Sequence, residues 1–397
     1  MPEDWEHAID TQTEEIMIRN LSIQKFYQFG KRIRMFEPFI SPLAFKEVSR
    51  VLRSGFIGEG PKVLEFERLF KRKFKIAYPV ALNSGTSALH LALDLAGVGT
   101  GDEVITTAQT MVATSQAILM QKATPVFADI QYKTGNINPE DIEHRVTNKT
   151  KALLVVHWGG YPCDLDAINI LAKKHNLMVI EDAAQALGAI YKNKNIGSIS
   201  PFTCFSFQAI KHVTTGDGGM LVLKNKAHYD KARVKRWFGI DRLKRKPSLL
   251  GEFEWNITEI GYKYHMNDIA AALGIVHLNT FQSRLKKLNK IAKLYRRELS
   301  SIPGITLFDE NPNRKGAQWL FSMHVERRDS FVDMMNKKGV EVSVVHSRID
   351  KNGIFGTKRN DLTNLERFEK TQICIPMHSR LKDKEAHYII NCIKKGW

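Results

Sequence analysis

Lys211 is the residue around which chemistry can be arranged in this chain. It stands in Ser206-Phe-Gln-Ala-Ile-Lys-His-Val-Thr-Thr-Gly-Asp-Gly-Gly219, after an apolar run from Phe202 to Phe207 and before Gly216, Gly218 and Gly219. Such a run predicts an interior strand, and the glycines predict a tight turn into a second strand that ends at Leu223. An amine at the end of a buried strand loses hydration, and its pKa falls. A lysine with a lowered pKa is suited to Schiff-base chemistry. The same residue also fits a plain solvated strand end, as one of 59 lysines and arginines.

Two further segments carry chemistry. Asn83-Ser84-Gly85-Thr86-Ser87-Ala88 falls between a predicted strand and a predicted helix. Small residues let a ligand approach the backbone, and hydroxyls with free N–H groups at a helix start bind phosphate. An ordinary helix cap with no ligand has the same signature. Neither a GxGxxG nor a Walker motif occurs, so dinucleotide and P-loop chemistry are not supported. Glu181-Asp182-Ala-Ala-Gln185-Ala-Leu-Gly188 closes a predicted strand, and ligands of open α/β sheets bind at the carboxyl ends of strands. Asp182 there can hold a protonated ring nitrogen while the alanines let a flat ring lie close. It can also simply cap the next helix. Ser206, five residues before Lys211, can donate to a phosphate. A phosphate cradle, a strand-end aspartate and a lysine, in that order, meet the requirements of pyridoxal phosphate. The aspartate keeps the ring an electron sink, and the lysine forms the imine and shuttles protons.

The elements that must position these residues are legible as an alternation. Strands are predicted at 78–82, 103–107, 125–129, 152–157, 178–182, 203–207 and 219–223, with helices at 86–96, 113–121 and 165–175 between them. This pattern predicts an α/β fold with a mostly parallel, doubly wound sheet. Earlier helices are expected at 43–52 and 62–74. Later, 226–238 reads as a helix and 242–254 as a long basic loop. Helices at 266–278 and 281–299 follow, the second long enough to lead into a smaller domain. That tail is expected to be α+β, with strands at 319–325 and 340–345 and helices at 330–338 and 384–394. The predicted division is an N-terminal extension over 1–35, a large domain over 36–280 and a small one over 281–397.

Composition bounds the rest. The 397 residues are 43% hydrophobic, enough for a large core. No apolar run has membrane-spanning length, and the first twenty residues lack an apolar signal region. Cys163, Cys204, Cys374 and Cys392 have no CxxC spacing and read as reduced thiols of a cytoplasmic protein. The net charge of +17 suits nucleic acid, an anionic membrane or phosphate-bearing substrates, or just a solvated basic surface. With no RNA-binding aromatic signature, zinc-finger spacing or basic tail, no nucleic acid partner is expected.

Taken together, the segments resemble the DegT/DnrJ/EryC1/StrS family, sugar aminotransferases of pyridoxal-phosphate fold type I. The stretches that carry the resemblance are SGFIGEGPKVLEF at 54–66, NSGTSALHLAL at 83–93, 101–114, VVHWGGYPCDL at 155–165, 181–188, 206–220, RWFGIDR at 236–242 and GYKYHMNDIAAALG at 261–274. The resemblance covers the chain from about Pro38 onward. It implies that Lys211 carries the cofactor as a Schiff base, that Asp182 pairs with the ring nitrogen and that Gln185 meets the ring hydroxyl. It also implies that Gly85, Thr86 and Ser206 bind the phosphate. Two departures stand out. Met111 occupies the place of an aromatic that stacks on the ring. The family's G-x-N-x-R is here Gly261-Tyr-Lys-Tyr-His265, so Lys263 replaces an asparagine that reaches the partner subunit's phosphate.

The resemblance therefore implies a homodimeric transaminase. It would move an amino group from an amino-acid donor, glutamate being expected, to a keto-sugar expected to be nucleotide-linked. Family dehydratases carry histidine at the lysine position, and here His212 is only the neighbour of Lys211. A non-catalytic binding protein on the same fold is the alternative of another class.

Overall fold

Seven short strands make the sheet that carries these residues. In the computed structural model, which describes residues 32–397 apart from Leu243 and Arg245, their order is Tyr78–Leu82, Gly219–Leu223, Phe202–Ser206, Met178–Asp182, Thr150–Val156, Glu103–Thr107, Thr124–Ala128. Gly219–Leu223 alone among them runs against its neighbours; the rest are parallel to one another. Register aligns the carboxyl ends. Val156 lies opposite Asp182, Asp182 opposite Cys204, and Leu82 opposite Gly219. The strands are almost wholly buried, as expected for a parallel sheet covered on both faces.

Helices cover those faces for reasons visible in the sequence. Pro61–Phe74 starts with proline at its first turn and buries Val63, Phe66, Phe70 and Phe74 along one stripe. Burial of each such side chain contributes roughly 1.5–3 kcal/mol. Its first-turn N–H groups have no local cap. The carboxylate of Asp268 accepts from Gly60, Lys62 and Val63 at 2.9, 3.1 and 3.0 Å. Gly85–Leu95 is buried on nearly every side, with Ser84 as its N-cap accepting from the Ser87 N–H at 3.0 Å.

A second, antiparallel sheet follows: Ile305–Leu307, Phe321–Val325 and Gln372–Ile375. Phe281–Leu299 and Asp383–Lys394 bury Leu288, Ile291, Tyr295, Ile389 and Ile393 in its core. A separate apolar cluster that includes Met35, Trp158, Trp319, Ile349 and Phe368 joins residues of both sheets' surroundings.

Two expectations need correction. The 340–345 stretch alternates like a strand but makes only isolated bridges, Val340 to Ile33 and Ser343 to Cys374. Val345 has φ 64°, a left-handed conformation that a β-branched residue rarely adopts, and the chain turns there instead of extending. The basic loop after Arg242 contains a small hairpin, pairing Lys246–Pro247 with Phe253–Glu254. Of the expected extension, residues 1–31 lie outside the described residues. Residues 32–35 are irregular, with Ile33 bridged to Val340. All four cysteines are free and buried. Among the described residues no helix is long and apolar enough to cross a membrane.

Candidate active site

The carboxyl ends of the strands open into a cavity of about 350 Å³. Gly85, Thr86, Met111, Asp182, Gln185, Ser206 and Lys211 all line it. Seven of the eight residues singled out from sequence thus meet in one place, although they come from four separate segments.

Lys211 is not on the strand. It lies five residues past Ser206 in a turn closed by its own N–H on Gln208 O at 2.9 Å. The ends of this excursion are tied together, with Phe207 N–H on Gly218 O at 2.8 Å and Thr215 N–H on Phe207 O at 2.9 Å. Loss of hydration at the amine lowers its pKa to about 8, against the opposing pull of Asp182. Asp182 is buried, and burial pushes its carboxyl pKa up. Its partners are the Thr114 hydroxyl, which donates to Oδ2 at 2.8 Å, and the Ala184 N–H, which donates to Oδ1 at 3.1 Å. Since Thr114 spends its proton on Asp182, Thr110 is the donor in the 2.8 Å contact between the two threonine hydroxyls. A buried carboxylate held by neutral donors is suited to a cationic ring nitrogen, which would supply the missing countercharge.

The phosphate end fits equally well. A Cβ on Gly85 would stand 2.9 Å from the Ser206 Cβ, and one on Gly219 would stand 2.2 Å from Ser84 O. Glycine is required at both positions for the helix start to sit this close to Ser206. Gln185 accepts the Gly159 N–H on Oε1 at 2.7 Å, which leaves its NH₂ group to donate. The donor set therefore fits pyridoxal phosphate: backbone N–H groups and hydroxyls for phosphate, a carboxylate for the ring nitrogen, an amide for the ring oxygen and an amine for the carbonyl.

Beneath Asp182 lies a fully buried pair. Cys163 N–H donates to His157 Nδ1 at 3.1 Å, so the ring carries its proton on Nε2 and gives it to Glu181 at 2.7 Å. Glu181 also accepts the Ser200 N–H at 3.0 Å.

Lys263 stands elsewhere in this chain. Its amine is 3.7 Å from the Trp237 ring centre, and its carbonyl accepts from Asn83 Nδ2 at 3.1 Å. It is not among the residues that line the cavity. His212, the neighbour of Lys211, is buried behind the lysine with Nε2–H on Ala317 O at 2.8 Å, and it too is not among the lining residues. Met111 lines the cavity mouth and is half exposed.

Sequence reasoning missed Thr114, Trp319 and His346. Thr114 had a signal: it follows Thr110 by four residues at a helix start, where i and i+4 side chains face the same way. Trp319 and His346 reach the cavity from the second sheet's side of the molecule, and nothing local marks them. His346 is carried by the turn at Val345, with its carbonyl accepting from Gln109 Nε2 at 3.3 Å. Burial and the nearby Lys211 lower its pKa to about 4, so its ring is neutral.

Residues 39–394 match the model of the DegT/DnrJ/EryC1/StrS aminotransferase family. The chain belongs to that family. Its solved relatives include the sugar aminotransferase CalS13 from Micromonospora echinospora, with 31% identity and a TM-score of 0.88 over 92% of this chain and all of that one. GDP-perosamine synthase of Escherichia coli O157:H7 is 31% identical over 92% of this chain and 98% of its own length. Spr1654 of Streptococcus pneumoniae, described as a candidate sugar aminotransferase, is 30% identical with a TM-score of 0.85 over 92% of this chain and 98% of that one. It has been solved in both its pyridoxal- and pyridoxamine-phosphate forms. This family member is accordingly a sugar aminotransferase that depends on pyridoxal phosphate.

Proposed function

We propose that this enzyme takes an amino group from glutamate and places it on a keto-sugar linked to a nucleotide. The observation that carries the reading is the convergence of Lys211, Asp182, Gln185, Gly85, Thr86 and Ser206 on one cavity. The net charge of +17 suits a substrate that bears a diphosphate. A relative named for a GDP-linked sugar supports the same substrate class.

When bound, pyridoxal phosphate supplies an electron sink for the carbon that exchanges the amino group. In our reading the chain's residues do the rest. Gly85, Thr86 and Ser206 hold the phosphate, Gln185 donates to the ring oxygen, and Asp182 keeps the ring nitrogen protonated. Lys211 anchors the cofactor, yields its place to the donor and then moves a proton from the donor's α-carbon. The same amine returns a proton in the opposite sense on the sugar side.

The working form in this reading is a cytoplasmic homodimer whose domains meet at the junction of Asp268–Asn279 and Phe281–Leu299. Large apolar side chains left exposed in the single chain, among them Phe45, Phe56, Leu249, Leu250, Trp255 and Ile260, favour a partner copy. Lys263 would serve that partner's phosphate as a point charge.

The decisive experiment is a donor–acceptor screen that follows conversion of glutamate to 2-oxoglutarate with a panel of keto-sugars. Amination of nucleotide-linked sugars is expected. Amination of free sugars alone would overturn the substrate assignment. Borohydride reduction followed by peptide mapping should place the cofactor adduct on Lys211, and a label on another lysine would refute the assignment of the anchor.

A further inference from the structure

Lys211 is gripped from the second sheet's side of the molecule by a clasp that the reaction chemistry does not call for. On one flank, Trp319 Nε1–H donates to the carbonyl of Ile210 at 3.2 Å. On the other, His212 Nε2–H donates to the carbonyl of Ala317 at 2.8 Å. Two short segments, 210–212 and 317–319, are thus bonded on both sides of the lysine. Between those bonds the Lys211 amine rests 3.8 Å from the centre of the Trp319 ring.

The indole is itself braced. The Phe36 ring lies 5.2 Å away at 26°, and the His346 ring 6.3 Å away at 20°. Phe36 follows a stretch fixed to the second sheet's side by Ile33 N–H on Gly339 O at 2.9 Å and by Met35 N–H on the Glu341 carboxylate at 3.0 Å. Trp319 is 4% exposed, so its face is shielded from water. A desolvated aromatic face attracts an ammonium and has no comparable hold on the neutral amine.

We propose that Trp319 is a positioning residue for Lys211, its indole face being the dock for the lysine ammonium whenever that amine is not joined to the cofactor. The proposal rests on the reading of Lys211 as the cofactor's anchor. In such an enzyme the lysine is free for half of each cycle, and an undocked ammonium would be drawn toward the Asp182 carboxylate, where the ring nitrogen belongs. The indole gives the charge another resting place. It also sets the pH at which the amine becomes a base, because it stabilises the protonated form alone.

Several other groups bear on that titration. Asp182 favours the ammonium and burial opposes it, while the rings of His346 and His212 beside it are held neutral. Asp217 lines the main cavity, and Glu37, Arg284 and His378 line a small one behind the lysine. The test must therefore weaken the indole's attraction without altering shape, hydration or these neighbours. Fluorinated tryptophans do so, since each fluorine withdraws charge from the ring face.

The experiment introduces mono-, di- and trifluorotryptophan at position 319 of the full chain, freed of cofactor by dialysis. Trace labelling with acetic anhydride across pH, read by peptide mass, gives the midpoint at which Lys211 becomes reactive. The expected result is a stepwise fall of the midpoint with each fluorine, about half to one pH unit in total, and a rise of about three- to tenfold in Lys211 labelling at pH 7. A midpoint that does not change along the series overturns the proposal, since a purely packing role is indifferent to ring charge. A midpoint that rises overturns it too. Labelling needs neither cofactor nor sugar, so failure here is distinct from failure of the proposed reaction, which the donor–acceptor screen reports.

Discussion

Replacing Asp182 by asparagine removes one charge and almost nothing else. The Ala184 N–H bond to Oδ1 can persist, since the amide keeps a carbonyl oxygen. The Thr114 hydroxyl loses its carboxylate oxygen partner and can instead accept from the new NH₂ group. What is lost, in the role proposed for Asp182, is the carboxylate's hold on a proton at the ring nitrogen. A hydrogen bond to a charged group contributes about 1.5–3 kcal/mol. At 1.36 kcal/mol per decade, the step that depends on ring protonation should slow by about 10- to 100-fold. The assay is single-turnover conversion of the cofactor's absorbance with excess glutamate, which isolates the donor half-reaction. Cofactor content and melting temperature should stay near those of the parent, because the phosphate cradle is untouched. Turnover within twofold of the parent would refute the reasoning, and Asp182 would then only hold the turn that follows its strand, through the Ala184 N–H.

Other outcomes follow from the same geometry. Gly85→Ala sets a Cβ 2.9 Å from Ser206 Cβ, so cofactor retention on dialysis should fall by about tenfold, roughly 1.4 kcal/mol, and the cofactor-free melting temperature should fall with it because the helix start must move. Lys211 has a folded-state pKa near 8, below its unfolded value near 10.4, so the unfolded chain binds more protons between those values. Burying the ammonium therefore destabilises the cofactor-free fold fully below pH 8, and the penalty is relieved as pH rises from about 8 to about 10.4. Lys211→Met should raise cofactor-free stability at pH 7 and lose that advantage by pH 10.5, as read by urea melts at the two pH values. Mixing Lys211→Ala subunits with Lys263→Ala subunits should restore activity if Lys263 serves the partner's phosphate. Exchanged hybrids, verified by mass, with no gain over two inactive parents would exclude that role.

Much of this was legible because it is local. The strands at 78–82, 103–107, 178–182 and 219–223 coincide with their predicted bounds, since buried strands are short apolar runs between turn signals. Gly85, Asp182 and Ser206 were legible because a strand end followed by small residues implies where a ligand sits. Residues 340–345 were misread because alternation marks a two-faced surface but does not supply a partner strand. Trp319 was invisible as a site residue, as its approach to Lys211 depends on how the second sheet packs against the first. Helix 363–371 and strand 372–375 also went unpredicted. The strand is only four residues long, too few for its period to register.

The tied excursion from Phe207 to Gly218 has a kinetic meaning. Both its ends are fixed in adjacent antiparallel strands, so the backbone under Lys211 could not carry the amine away when, in its proposed role, it gives up its bond to the cofactor. An amine confined to a sphere of about 5 Å radius has a local concentration of ~3 M, before any gain from orientation. In the proposed role, return of the lysine to a cofactor still held as an imine would therefore be an intramolecular event competing against an escape. Lengthening this loop by two or three glycines would leave every contacting residue in place yet dilute the amine, and the symptom would be cofactor lost during turnover and not at rest.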